Sequence, residues 1–264
     1  MKALKVLPFL FILTLFSCSS DSDDSNNGSN LPYNLTLTDG DYWTYDVTGA
    51  AGTSRDSLYI ANDTVISGKT YKKFKTESLP TGFYSSSLNN NGVRMENYNL
   101  LLSGSLDFGA NQGLPTNISI SLDDFVIFNP NASQGTTLDT YSDSFQQTVG
   151  TFPLTINYTL KSTAGNSYTT FTSNGETYTN VKSTIITLNM NITTDFNGFA
   201  LPVLSSQDVL VSEQLIAENI GVFKSNSTFS YTIDPLFASQ ISQFGIPASA
   251  SQDQEELLDT YLIN

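Results

Sequence analysis

The sequence predicts an all-β fold organised as an antiparallel sheet, and three observations lead to this prediction. From Asp41 onward, short runs rich in Thr, Tyr, Ile, Val and Phe alternate with polar residues, and Gly and Asn pairs separate them. Apolar residues at helical spacing are nearly absent. The composition, 39% hydrophobic and 14% charged, is too apolar for a disordered chain. Because no boundary signal interrupts it, residues 34–264 are predicted to form a single β domain.

The first half of this domain contains three predicted hairpins, each joined by residues typical of tight turns. The first joins Asp41–Thr48 to Ser54–Ile60. The other two join Thr64–Ile66 to Thr70–Thr76 and Phe83–Leu88 to Val93–Asn97.

The second half contains longer strands in which every second residue is apolar. Two such faces, predicted to point into the core, consist of Leu154, Ile156, Tyr158 and Leu160, and of Ile186, Leu188, Met190 and Ile192. A further hairpin joins Val209–Ala217 to Val222–Ile233. Helical spacing within Pro235–Phe244 predicts one short helix near the C-terminus that caps the sheet. Residues 99–117 and 194–206 are predicted to be long loops.

The N-terminal residues indicate a signal peptide. Lys2 and Lys5 precede the almost unbroken apolar run Val6–Phe16. As a helix this run reaches only about 16 Å, roughly half of a bilayer core, so it is too short for a transmembrane anchor. Residues 1–17 are therefore predicted to be removed.

The cleavage region resembles a bacterial lipobox, with Leu15, Phe16 and Ser17 before Cys18. The resemblance implies that the Cys18 thiol receives a diacylglycerol and that its amine then receives a further acyl chain of the palmitate class. The lipoprotein-processing machinery would be a partner. Several acyl chains on one residue give stable membrane attachment. The alternative is an ordinary secretory signal that happens to contain a cysteine.

A polar tether follows over residues 18–33, rich in Ser, Asp and Asn. Its acidic run resembles the export signal of surface lipoproteins in Bacteroidota. The resemblance implies lipid anchorage in the outer membrane with exposure at the cell surface, and with it the export machinery as a partner. A plain solvated spacer at the periplasmic face is the alternative.

The charged and reactive residues exclude several classes of function. The chain has 25 Asp and Glu against 11 Lys and Arg, a net charge of -14, which argues against nucleic acid. Because it has no His and one Cys, it lacks imidazole triads, imidazole metal sites and disulfides. We therefore predict no enzyme activity, no cofactor and no metal site. The alternatives weighed are carboxylate catalysis by Asp123-Asp124 or Glu255-Glu256, the latter expected on a solvated face, and calcium at Asp39-Gly40-Asp41 or in the acidic run of the tether.

Five spaced motifs look like a group of Bacteroidota lipoproteins whose sheet is similar to that of the LolA and LppX lipoprotein-carrier superfamily. They are Gly40–Tyr45, Ser67–Tyr71, Phe128–Gly135, Asn174–Val181 and Ala217–Lys224. The resemblance implies a strongly curved antiparallel sheet, a half-barrel or lipocalin-like wall, whose concave face can hold something apolar. It does not imply a shuttle function, because this chain is predicted to be anchored.

Three further residues are candidate sites. Ser57 and Thr64 each follow an Asp and precede an aliphatic residue, a pattern that resembles the O-glycosylation sites of exported Bacteroidota proteins. Trp43 is a candidate ligand contact, expected on the opposite face from Tyr42 and Tyr45, with a core position as the alternative. A lysine cluster is predicted to be a charged sheet edge: Lys69, Lys72, Lys73 and Lys75.

The function predicted from these features is non-enzymatic binding of an apolar ligand or an envelope partner by a lipid-anchored outer-membrane protein. A surface glycan-binding component of an uptake system is the alternative.

Overall fold

Twelve antiparallel strands form one curved sheet that closes almost into a barrel in the computed structural model, which describes residues 33–109, 114, 116–150 and 152–264. The predicted all-β fold with a curved sheet is confirmed. The strands are β1 (Tyr42–Gly49), β2 (Gly52–Ile66), β3 (Lys69–Thr76), β4 (Gly92–Glu96), β5 (Asn99–Phe108), β6 (Ile118–Phe128), β7 (Thr137–Val149), β8 (Phe152–Ser173), β9 (Glu176–Phe196), β10 (Phe199–Ala217), β11 (Gly221–Thr232) and β12 (Ser249–Leu262). Within the described ranges there are two short helices, α1 (Phe83–Leu88) and α2 (Pro235–Ser242).

The strand order places the first and last strands side by side in the middle of the sheet. It runs β6-β5-β4-β3-β2-β1-β12-β11-β10-β9-β8-β7, so β6 and β7 are the two edges. Side chains connect these edges at both ends of the seam between them. At one end the Val126 N–H donates to Asp139 Oδ2 at 3.0 Å. At the other end the Thr116 hydroxyl donates to Gln147 Oε1 at 2.7 Å.

Alternate side chains point into the barrel and form its core. All eight apolar residues of the two predicted faces on β8 and β9 are buried, from Leu154 to Leu160 and from Ile186 to Ile192 at every second position. The predicted hairpins β1–β2, β2–β3 and β10–β11 are also confirmed. Most of the barrel wall therefore follows from a period of two in the sequence.

Helix α1 lies inside the barrel, so the prediction of a strand over Phe83–Leu88 is wrong. Phe83 packs against Phe108 of β5 and Phe229 of β11, with ring centroids 6.0 and 5.7 Å away. These two strands are six places apart in the order of the sheet, so the phenylalanine bridges opposite walls. Contacts with distant strands override the local strand propensity of this segment.

Helix α2 covers one end of the barrel, as the sequence predicts. Pro235 lies in its first turn, and Asp234 accepts a hydrogen bond from the N–H of Leu236 at 3.0 Å, which caps the helix. Ile241 is buried against the core. In the described part of the chain, neither helix has the length and apolarity needed to cross a membrane.

Both predicted long loops contain strands. Residues 99–108 form β5, and the region 194–206 contains the end of β9 and the start of β10. The residues that suggested loops lie at irregularities of the ladder, such as the register shift beside Pro202. Bulges therefore absorb these residues without ending the strands.

The lysine-rich segment lies on β3, between β2 and β4, so the predicted charged edge is wrong. Two of its lysines take acidic partners, and Lys73 donates to the carbonyl of Asn90. Lys69 is paired with Asp124, and Lys72 lies 2.8 Å from Asp39 and 2.6 Å from Asp63. Two strands, β4 and β5, separate β3 from the edge strand β6, so the lysines do not lie on an edge of the sheet.

Candidate functional site

Five consecutive backbone N–H groups at the start of α1 all donate to side chains that point inward from the wall. Those of Thr81 and Gly82 donate to Asp56 of β2, at 3.0 and 2.7 Å. That of Phe83 donates to Gln254 Oε1 of β12 at 2.6 Å. The wall therefore supplies the capping groups that the short helix lacks in its own sequence.

The last two of these N–H groups belong to Tyr84 and Ser85, and both donate to Glu256 of β12. The distances are 2.5 Å to Oε1 and 3.1 Å to Oε2, and the Ser85 hydroxyl adds a bond to Oε2 at 2.7 Å. Glu256 is only 1% exposed, and its burial raises its pKa to about 7, although these hydrogen bonds act in the opposite direction. The predicted solvated face is therefore wrong for Glu256.

The inward position of Glu256 follows from the alternation of β12. Its neighbour Glu255 points the other way and lies 2.5 Å from Lys224 of β11. Leu258, two residues later, is buried on the same face as Glu256. The Gln and Glu residues of β12 make both of its faces polar, so no apolar stripe marks the inner one.

An apolar cavity of about 50 Å³ lies beside α1, under the segment 33–38. Such a volume holds a few water molecules or a short hydrocarbon group. Its walls are mostly aromatic and aliphatic, and include Trp43, Phe74, Tyr84, Leu88, Val93 and Phe128.

Leu35 and Leu37 cover this cavity. Both are half-buried against the core and line the cavity. The segment is held on either side of them: the Tyr33 hydroxyl donates to the carbonyl of Ile216 at 2.8 Å, and the Thr38 N–H donates to a carboxylate of the next turn at 2.8 Å. Burial raises the pKa of Tyr33, so its hydroxyl stays protonated. The two leucines therefore form the cover between two fixed points.

The acceptor of the Thr38 bond is Asp41, a fully buried carboxylate. Its other oxygen accepts the N–H of Asn264 at 2.9 Å, while Asp39 is paired with Lys72. The two acids weighed as calcium ligands thus take different partners, and Asp41 joins the segment before β1 to the residues after β12.

Trp43 lines the cavity and is 5% exposed. Its indole N–H donates to the carbonyl of Ile220 at 2.6 Å, and its ring stacks on Phe74 at 6.0 Å. Tyr45 is buried on the same face, whereas Tyr42 is 40% exposed. The expectation that both tyrosines lie opposite Trp43 is wrong for Tyr45, because residues two apart share a face. The indole is placed to contact a molecule inside the barrel.

Gln214 of β10 brings an amide to the wall of the cavity. It is 6% exposed, and among the described residues none hydrogen-bonds its side chain. The other lining amide, Asn219, accepts a bond from Asn34 at 2.9 Å. Of the described residues that line the cavity, none is charged. No signal in the sequence marks Gln214 as inward-facing, because apolar residues occupy both odd and even positions of its strand and the ladder is irregular between Leu215 and Ile216.

Asp124 of the considered Asp123-Asp124 pair belongs to a separate cluster. Its carboxylate accepts two bonds from Arg94, at 2.7 and 2.8 Å, and one from the Tyr71 hydroxyl at 2.6 Å. The Arg94 guanidinium holds the pKa of Asp124 well below its usual range. Asp123 is exposed. The arrangement makes Asp124 a structural ion-pair partner.

The remaining candidate residues are not brought together with the cavity. Ser57 and Thr64 are half-exposed on β2. The Asp before Ser57 is turned inward to α1, whereas the Asp before Thr64 is paired with Lys72. Cys18, the signal peptide and nearly all of the tether lie outside the described residues.

Comparison with known proteins gives no relative for this chain: no protein-family model, no curated protein and no solved structure matches it.

Proposed function

We propose that this protein is a non-enzymatic binding protein that takes up an apolar ligand in the cavity beside α1. The supporting observation is the cavity wall, in which aromatic and aliphatic side chains surround two amides and no charge among the described lining residues. Such a wall favours a ligand that gains by leaving water, at roughly 25 cal/mol per Å² of apolar surface. A few polar groups then set its orientation.

The size of the cavity limits what enters without rearrangement. Its 50 Å³ is well below the roughly 300–1,000 Å³ of sites for drug-sized ligands. A longer chain therefore needs Leu35 and Leu37 to move outward. Hydrogen bonds hold the cover at Tyr33 and Asn34 on one side of these leucines and at Thr38 on the other, so the movement is confined to residues 35–37.

The second part of the proposal concerns location and rests on the sequence alone. The protein is anchored in the outer membrane through acylated Cys18 and faces the cell surface, with the periplasmic face as the alternative. At this location an envelope protein is the alternative binding partner to the apolar ligand. Labelled palmitate should appear in the wild type and not in Cys18→Ala, and equal labelling of both would refute the anchor.

The binding site can be tested with phenylnaphthylamine, an apolar dye whose fluorescence rises on leaving water. Val93→Phe places a larger ring into the cavity and should weaken dye binding by about tenfold, because the ring occupies the space of the dye. Val65→Phe is the matched control, since Val65 is 69% exposed. Equal binding by both variants and the wild type would refute the cavity as the site.

The alternative function, glycan binding, is favoured by a different region. A shallow depression of about 390 Å³ on β7, β8 and β9 is lined by hydroxyl and amide groups, including Ser142, Asn157, Thr159, Asn189 and Asn191. Sugars are recognised by such groups. Saturable binding on a glycan array that is lost in Asn157→Leu and kept in Val93→Phe would support this function over the first.

A further inference from the structure

The amide of Gln214 indicates what kind of ligand the cavity accepts. Its side chain is nine-tenths buried and lines the cavity, and among the described residues none pairs with it. No fully enclosed side-chain N or O atom of the described residues lacks a partner, so the unpaired amide atoms of Gln214 keep accessible surface, and the cavity is the space that this side chain lines. A ligand with its own hydrogen-bonding group could pair with this amide there.

The electrostatic surroundings exclude an anionic group as that partner. None of the described lining residues is charged. The buried ionisable side chains that hold α1 beside the cavity are acidic: Glu256 accepts the N–H of Tyr84, whose ring lines the cavity, and Asp56 accepts the N–H of Gly82. A carboxylate in the cavity would be desolvated without a cation.

The position of Gln214 sets the direction of entry. It lies three residues, or about 10 Å of strand, inside the end of β10 at Ala217. The cover formed by Leu35 and Leu37 lies near that end, because Asn34 bonds to Asn219 in the turn that follows β10. A ligand that passes the cover reaches the amide with its leading end.

We propose that the ligand is an aliphatic molecule with an uncharged hydrogen-bonding end group, such as a hydroxyl, ester or amide, which enters first and pairs with Gln214. This inference rests on the proposed function above. The amide offers both a donor and an acceptor, so it can match a hydroxyl in either sense.

The test uses three short ligands that differ only at one end: bromohexanol, bromohexanoate and bromohexane, each with bromine on the terminal carbon. Bromine quenches indole fluorescence on contact, and Trp43 is the only Trp of the chain and lines the cavity. In the full-length wild type, bromohexanol should bind at least about tenfold more tightly than bromohexanoate at neutral pH, because the carboxylate loses its hydration without gaining a cation.

Gln214→Leu tests the role of the amide. In this variant the affinity for bromohexanol, relative to that for bromohexane, should be about tenfold lower than in the wild type, since the hydroxyl then has no partner. Gln146→Leu, on an exposed position of β7, is the matched control and should keep the wild-type ratio.

The outcomes separate the two proposals. If none of the three ligands quenches Trp43 in the wild type, the proposed function fails. If they quench but Gln214→Leu keeps the wild-type ratio, or if the carboxylate binds as tightly as the alcohol, the cavity binds apolar ligands and the inference about the end group is overturned. The comparison of alcohol with carboxylate needs no variant, so it stands even if Gln214→Leu does not fold.

Discussion

The stability of this protein should decrease between pH 5 and pH 8, because of Glu256. Burial raises its pKa from the ordinary 4.5 to about 7 in the folded protein. The folded state therefore binds this proton more tightly than the unfolded state does. The stabilisation is fully present below pH 4.5 and is lost as the pH rises through 7.

The magnitude follows from the two pKa values. At about 1.4 kcal/mol per unit, the difference corresponds to about 3 kcal/mol in total, of which roughly 2 to 3 kcal/mol falls between pH 5 and pH 8. The chain has no histidine, the one side chain that ordinarily titrates in this interval. The expected slope should therefore not be masked.

Urea unfolding, followed by the fluorescence of buried Trp43, gives the free energy of unfolding at each pH. The wild type should lose about 2 to 3 kcal/mol from pH 5 to pH 8, and Glu256→Gln should be nearly flat. Glu255→Gln is the matched control, because its side chain points outward to Lys224, and it should keep the slope. A flat wild type, or a slope that survives in Glu256→Gln, would refute the reasoning.

Two other predictions concern packing and ion pairs. Asp124→Asn should lower the free energy of unfolding by about 1–3 kcal/mol at neutral pH, because Arg94 and Lys69 would lose the carboxylate that balances their charge. Asp123 is exposed, so Asp123→Asn should change the free energy of unfolding by less than about 0.5 kcal/mol in the same urea titration. Gly82→Ala should destabilise the protein by about 2 kcal/mol or more, because the added Cβ would lie 2.1 Å from the Glu256 carboxylate. Gly175→Ala should cost only about 1 kcal/mol, since its sole penalty is a positive φ in open space, and a similar melting temperature for both alanine variants would contradict this account.

The alternation of side chains predicted most of the barrel wall from sequence, but not its contents. Strands such as β8 place an apolar residue at every second position, and this local signal needs no knowledge of the partner strand. Helix α1 carries no comparable signal. Its capping groups come from Asp56, about 25 positions earlier, and from Glu256, about 170 positions later. Long-range contacts of this kind cannot be read from a window of neighbouring residues.

Only part of the candidate site can be predicted from the sequence, because distant segments of the chain form its wall. Trp43 was selected as a ligand contact because of its residue type, and the structure places it in the cavity wall. Gln214 was missed, because glutamine in a strand is usually solvent-facing and apolar residues occupy both odd and even positions of its strand. The cover over the cavity was missed as well, since Leu35 follows a polar tether and has no periodic neighbours.

The pairing of β1 with β12 determines when the chain can fold. Tyr42 lies opposite Leu262, so the central contact of the sheet joins residues separated by nearly the whole domain. In a chain that is synthesised from its N-terminus, β1 is an exposed edge strand until β12 is made. Until then α1 also lacks Gln254 and Glu256, two of the three side chains that hold it. Contacts of such high separation form slowly. The barrel is therefore completed only by its last strand, and a chain that lacks β12 cannot close it.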